Sequence, residues 1–203
     1  MHSLIQEYLY KFKLEDMKKH ERKENEYYVT DLVRCPLKRV YEERYPELIL
    51  RQAFDPTLLL GDIVHMGLEA FIEKLFSEGY MKGIVGVEVE NSKKVGDYVI
   101  KGRIDALLEV DDGRIGIEIK YSRRDLGLPH RHHVLQVRIY NWLFDLDKTI
   151  LIYLTPERIA EFEITDRAGE EELLKLIESS ETPRWSWECQ YCLFAILCPK
   201  KKS

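Results

Sequence analysis

The sequence predicts an α/β protein: a mixed central sheet flanked by helices, with a helical segment ahead of it and a cysteine-rich tail behind. Three observations predict this. Apolar residues recur at helical spacing up to about residue 79, residues 84–121 switch to the two-residue alternation of strands, and the last fifteen residues gather Cys189, Cys192 and Cys198. At 203 residues the chain is long enough for one domain, alone or with a small appended module. A composition that is 45% hydrophobic and 33% charged excludes a disordered chain. No apolar run approaches the length of a bilayer, and the N-terminus lacks the apolar run of a signal peptide, so a cytoplasmic protein is expected. The net charge of −5 does not advertise a nucleic-acid binder. Local basic clusters at Lys93–Lys94, Arg123–Arg124, His130–His133 and Lys200–Lys202 can still serve phosphates, or be plain solvated surface.

The elements follow in order. Leu4 to about His20 has helical periodicity through Leu4, Ile5, Tyr8, Leu9 and Phe12, and His20–Glu26 is a polar stretch. Thr30 suits the N-cap of a short helix carrying Leu32, Val33, Leu37 and Val40, after which Pro46 and Pro56 bracket a connection. From Thr57 the residues Leu60, Val64, Leu68, Phe71, Ile72 and Leu75 mark an amphipathic helix that Gly79 terminates. Ile84–Glu90, Asp97–Val110 and Arg114–Tyr121 read as strands, the last two joined by the hairpin signal Asp111-Asp112-Gly113. Val134–Leu146 returns to helical spacing, Thr149–Leu154 and Ile159–Ile164 read as paired strands, and Asp166–Ser180 as an acidic amphipathic helix. No repeat or low-complexity segment interrupts this order.

Chemistry concentrates on two neighbouring strands. In a strand, residues two apart share a face, so Glu118 and Lys120 project together while Ile117 and Ile119 enter the opposite apolar layer. The hairpin lays the strand of Asp105 alongside, and a bend or register shift brings that carboxylate to the same place. Two carboxylates are hard oxygen ligands for Mg²⁺ or Mn²⁺, and such an ion polarises a phosphate and activates water. Lys120 then orients the water or stabilises the charge that develops on phosphorus. An isolated Glu-x-Lys is more often a surface salt bridge; the strand–turn–strand setting with Asp105 is what separates this one.

Cys189-x2-Cys192-x5-Cys198, with Cys35 far upstream, is a compact thiol set in a chain expected to be reduced. No βαβ setting of the thioredoxin kind precedes it, and four unrelated buried thiols fit poorly with three in ten residues. Four thiolates complete either a zinc site or an iron–sulfur cluster, and spacing alone makes zinc the more frequent outcome.

Gly102-Arg103-Ile104-Asp105-Ala106 followed by Ile117-Glu118-Ile119-Lys120 resembles the PD-(D/E)xK superfamily, in its RecB-like branch, whose core is of the restriction-endonuclease-like type. Gly61-Asp62-Ile63-Val64-His65 resembles the upstream G-x-x-x-H element of that branch, and Gln136-Val137-Arg138-Ile139-Tyr140 its Q-x-x-x-Y element. One cysteine before the core and three after it, with Asp31-Leu32-Val33-Arg34-Cys35-Pro36 and Cys198-Pro199, are similar to the CRISPR-associated RecB-like exonucleases. The resemblance covers about residues 29–199. It implies that His65, Asp105, Glu118 and the carbonyl of Ile119 hold Mn²⁺ or Mg²⁺, and that Lys120, Gln136 and Tyr140 serve catalysis. A ligating His65 must be neutral, so activity should fall in acid. The resemblance further implies an iron–sulfur cluster on Cys35, Cys189, Cys192 and Cys198, [4Fe–4S] in most members and [2Fe–2S] in some.

On this resemblance the whole chain is one nuclease domain, with its core at about 57–165 and the cluster module at about 29–45 and 183–200. The implied function is 5′-to-3′ trimming of single-stranded DNA ends during spacer acquisition, beside the CRISPR integrase complex, with self-association left open. A repair nuclease and a non-catalytic DNA-end adaptor are the competing readings, and an adaptor has no need of the full His65, Asp105, Glu118 and Lys120 set. The family pattern gives Glu88 no role, which leaves it a strand-surface residue. His130-Arg131-His132-His133 contacts phosphate or caps a loop. Trp185, Trp187 and Tyr191 stack on bases or pack around the cluster.

Overall fold

A computed structural model describes residues 4–18, 23–111 and 113–202, which gather into two compact units. His20 and Asp112, named above in a polar stretch and a turn, lie outside the described residues. Among the described residues no helix is long and apolar enough to cross a membrane.

One unit comprises Met1–Glu24, Arg34–Leu60 and Ser180–Ser203. It holds helices α1 (Leu4–Lys18), α3 (Pro36–Arg44) and α4 (Pro46–Ile49), with 3-10 turns at Leu50–Phe54 and Glu188–Tyr191. The single helix expected across Leu32–Val40 is two. Helix α2 (Val29–Val33) ends before Cys35, and α3 begins at Pro36, whose missing N–H suits the first turn of a helix and not its interior. Pro46 likewise opens α4, so the bracketed connection is largely helical.

The other unit comprises Asn25–Val33 and Gly61–Ser179. Its sheet contains β1 (Glu26–Tyr28), β2 (Ile84–Val95), β3 (Tyr98–Val110), β4 (Gly113–Tyr121), β5 (Lys148–Leu154) and β6 (Ile159–Ile164). β2, β3 and β4 form the expected antiparallel meander, β4 runs parallel to β5, and β5 is antiparallel to β6. The β3–β4 connection needs Gly113, whose φ is 123°: a Cβ there would meet Asp147 Oδ2, which accepts a hydrogen bond from the Arg114 amide.

β1 was not legible as a strand, and it matters. It pairs in parallel with Val99–Lys101, whereas β4 pairs with Ala106–Val110 on the same edge of β3. Between them residues 102–105 have no strand partner on that edge, so the sheet forks at Asp105.

Helix α5 (Pro56–Ser77) covers one face of this sheet from Val64 onward, packing Val64, Leu68 and Ile72 against Ala106, Leu108, Ile117 and Ile119. The opposite face carries α2, α6 (Arg131–Leu143) and α7 (Glu170–Glu178), with Ile100, Ile104 and Leu107 under Leu32, Ile139, Leu143 and Leu173. Helix α6 starts three residues earlier than its apolar spacing suggested and α7 is shorter than expected. Buried Asn141 fixes α6 on the sheet: its Nδ2 donates to the carbonyls of Ile164 and Asp166, and its Oδ1 accepts from Thr149 Oγ1 at 2.6 Å. Every polar atom of that side-chain amide is used, so the network orients the helix at little cost.

Candidate active site

The fork in the sheet determines where the polar side chains meet. The β3–β4 ladder ends at Ala106 and Ile117. One residue further Asp105 is 8% exposed, and its Oδ2 accepts the amide hydrogen of Ile119 in place of a backbone carbonyl. This supplies the bend required for Asp105 to approach β4.

Helix α5 brings His65 and Glu69, one turn apart on one face, to the same point. His65 Nδ1 stands 3.6 Å from Asp105 Oδ1. One ligand atom from each of His65, Glu69 and Asp105 lies within 4.8 Å of the others. Glu69 was missed in the sequence, although its position four residues after His65 on a helix was a usable signal.

Glu118 and Lys120 face the α6 layer as expected. Glu118 is 2% exposed, and its Oε1 accepts from Lys120 Nζ at 2.6 Å and from Gln136 Nε2 at 2.9 Å. Gln136 also donates to Tyr140 Oη at 3.1 Å, so the two helix residues and Glu118 form one chain of bonds. Tyr140 owes its seat to Gly102, where a Cβ would lie 2.9 Å from the Tyr140 ring and 2.8 Å from Leu143.

The electrostatics suit a cation held at this point. Burial, then the charge of Asp105, pushes the Glu118 carboxyl up to about 7 against the pull of Lys120. Burial, then Glu88 and Asp105, pushes Glu69 up to about 7 as well. Burial depresses His65, but the Asp105 carboxylate 3.6 Å away outweighs this and raises it. Burial and then the Glu118 charge lift the Tyr140 phenol well above its ordinary range. Glu69 Oε1 and Glu118 Oε2 are buried without a hydrogen-bond partner. Glu69 Oε1, orphaned beside the His65 imidazole and the Asp105 carboxylate, belongs to a donor set that suits a hard divalent ion, while Glu118, held from the α6 side, is not among the residues whose ligand atoms gather there. The residues fit such an ion.

The histidines at 130–133 stand at the start of α6, where no side-chain cap bond forms. His130 occupies the N-cap position of α6, and its backbone amide donates to Tyr153 Oη at 3.0 Å. His133 Nδ1 lies 2.8 Å from the same hydroxyl, and burial, then Lys120, hold that imidazole neutral.

In the unit that carries them, Cys35, Cys189, Cys192 and Cys198 are free thiols lining a single cavity with Leu37, Tyr41 and Ala195. Burial pushes the Cys35 thiol up, with the Leu37 N–H drawing it partly back. Cys189 Sγ accepts the Lys202 amide at 3.4 Å, and Glu188 holds the amides of Cys35 (2.7 Å) and Trp185 (3.0 Å). Four thiols around one cavity, with amides directed at sulfur, fit a tetrathiolate metal group. Tyr191 is 79% exposed and Trp187 39%, and neither lines the cavity, so packing around it does not account for them.

No family model matches the chain. A curated relative, the CRISPR-associated exonuclease Cas4 of Saccharolobus solfataricus, is 45% identical over 205 residues, covering 98% of this chain and 99% of the relative. A crystal structure of the protein SSO0001 superposes with a TM-score of 0.90 at 44% identity, covering the whole of both chains. Identity at that level over the full length carries both fold and family, and the chain belongs to the CRISPR-associated exonuclease Cas4 family.

Proposed function

We propose that this chain is a divalent-metal-dependent exonuclease that trims single-stranded DNA ends, with 5′-to-3′ polarity, as part of spacer acquisition by a cytoplasmic CRISPR integrase complex. The observation that carries the nuclease reading is the gathering of His65, Glu69 and Asp105, with Glu69 Oε1 orphaned, together with the buried Glu118–Lys120 pair whose carboxylate feels the charge of the same Asp105. Polarity, pathway and partner rest on the family relationship.

His65, Glu69, Asp105 and Glu118, with the carbonyl of Ile119, would hold Mn²⁺ or Mg²⁺. The ion supplies Lewis acidity to the scissile phosphate and a nucleophile at neutral pH. The chain's own groups do the rest. Lys120 presents a positive donor to the charge that grows on phosphorus, and Gln136, tied to Tyr140, keeps Glu118 in one rotamer. The cysteine cavity would hold an iron–sulfur cluster, [4Fe–4S] in keeping with the family. End-labelled single-stranded DNA incubated with and without Mn²⁺ tests the function: metal-dependent shortening from the 5′ end is expected, and DNA left intact with Mn²⁺ overturns it.

The two raised carboxyls give a pH signature. Their folded values of about 7 lie above the ordinary 4.5, so between these values the folded metal-free chain holds more protons than the unfolded one. Their contribution to stability is therefore present below about pH 4.5 and lost as pH rises through 7. Mn²⁺ must displace those protons, so its affinity should rise between pH 5.5 and 7.5 with proton release of order one per ion. Calorimetric titration in buffers of differing ionisation enthalpy checks this, and a pH-independent affinity would contradict it.

A further inference from the structure

Strand β2 contains a residue that its sequence does not explain. Val87 pairs with Ala106 and Val89 with Ile104, so Glu88 lies across from Asp105. Its φ is 52°, a left-handed backbone in the middle of a strand and at a residue other than glycine or asparagine. The Glu88 carboxylate reaches Arg103 Nη1 at 2.6 Å, both side chains being nearly half exposed. A half-exposed ion pair contributes too little to stability to account for a strained strand residue. Strain of this kind persists where function requires the side chain it places.

Arg103 directly precedes Ile104, which packs into the α6 layer, so its side chain lies on the α5 side of β3, the side from which His65 approaches Asp105. A guanidinium has five donors in a planar fork, and one carboxylate does not exhaust them. On a molecule of net charge −5, a half-exposed arginine beside buried acids is the chemistry that meets a phosphodiester.

We propose that Arg103 is a substrate-binding residue that grips a backbone phosphate of the DNA strand at the mouth of the centre, and that Glu88, through its left-handed backbone, is the positioning residue that aims it. The proposal rests on the nuclease reading above and adds a residue to it. Glu88 is thus more than the strand-surface residue its sequence suggested. The pair gives the strand a fixed register against the acidic centre, which a trimming enzyme needs at every step.

The test is steady-state cleavage of single-stranded DNA with saturating Mn²⁺ at several salt concentrations. Arg103→Ala should raise KM about tenfold, as expected for loss of one charge-assisted bond, with kcat little changed. Its salt dependence should also be shallower by about 0.7 in the log–log slope, the share of one phosphate on a single strand. Glu88→Asn keeps a residue that tolerates the left-handed backbone while removing the charge. It should raise KM by a smaller factor with an unchanged melting temperature, and add nothing to Arg103→Ala in the double variant. Arg103→Ala with wild-type KM and salt slope, in an enzyme that cleaves, overturns the proposal alone. A Glu88→Asn KM at or below wild type overturns the aiming role. A wild-type protein that does not cleave DNA with Mn²⁺ overturns the nuclease reading and this one together.

Discussion

Replacing Lys120 by alanine is expected to slow Mn²⁺-dependent DNA cleavage by roughly 10²–10³-fold, the usual cost of removing a donor that stabilises charge in the transition state. The ammonium is 17% exposed and bonded at 2.6 Å to a carboxylate that is 2% exposed, so it works where water does not screen it. Two effects combine in the variant and are separable. Without Lys120 the Glu118 carboxyl, already raised to about 7, loses the charge that pulls it down, so Mn²⁺ should bind more weakly at neutral pH. Saturating Mn²⁺ restores binding but not the missing donor, so kcat should stay low. Lys120→Arg should not rescue, because a planar fork replaces a compact charge in a buried site. Far-UV circular dichroism and the metal content of the cysteine-bearing unit should match wild type. Cleavage by Lys120→Ala at the wild-type rate would remove Lys120 from the catalytic machinery.

Much of this centre was legible because its signals are local. Glu118 and Lys120 reveal themselves by two-residue spacing, Gln136 and Tyr140 by four-residue spacing, and the β3–β4 hairpin by Asp111 and Gly113. What was illegible depends on contacts distant in sequence. The fork needs β1, three residues whose strand character comes only from pairing with Val99–Lys101. Glu69 was hidden inside a helix whose apolar periodicity accounted for its neighbours, and only the approach of Asp105 marks it. The left-handed backbone at Glu88 runs against propensity, since glycine or asparagine would be expected there. Pro36 could have been read as a helix start, but Leu32, Val33, Leu37 and Val40 kept helical spacing across the break. Local rules fail where function or long-range pairing imposes another conformation.

Loss of any one cysteine is expected to melt the unit built from Arg34–Leu60 and Ser180–Ser203 while leaving the sheet-bearing unit folded. The reason lies in how little this unit buries. Neither α3 nor α4 contains a buried residue, and among the described residues Phe194 is the large apolar side chain that its segments bury, stacked on Tyr41 at 5.5 Å. A few tens of residues with so small a core need a staple, and four thiols at one cavity are the staple available. Structural zinc sites in small finger peptides contribute about 10–16 kcal/mol of apparent binding free energy, which in such units is folding free energy, and a tetrathiolate group here would act in the same way. The Glu188 carboxylate, 2% exposed, joins the early and late cysteine segments through the amides of Cys35 and Trp185, on the order of 1.5–3 kcal/mol each, and a longer ion pair with Lys38 Nζ at 3.9 Å. It aligns the cavity and does not replace the metal group. Protein purified without oxygen should be brown and contain iron. Cys35→Ser, Cys189→Ser, Cys192→Ser and Cys198→Ser should each lose colour and iron together. Differential scanning calorimetry should show that the separate transition of this unit is lost in each variant while that of the sheet-bearing unit remains. Colourless protein carrying stoichiometric zinc would keep the staple and overturn the iron–sulfur assignment. Serine variants that melt as wild type would overturn the staple itself, because Phe194, Glu188 and the bonds of Tyr41 to Leu197 and Arg184 to Arg34 would then suffice to hold these segments.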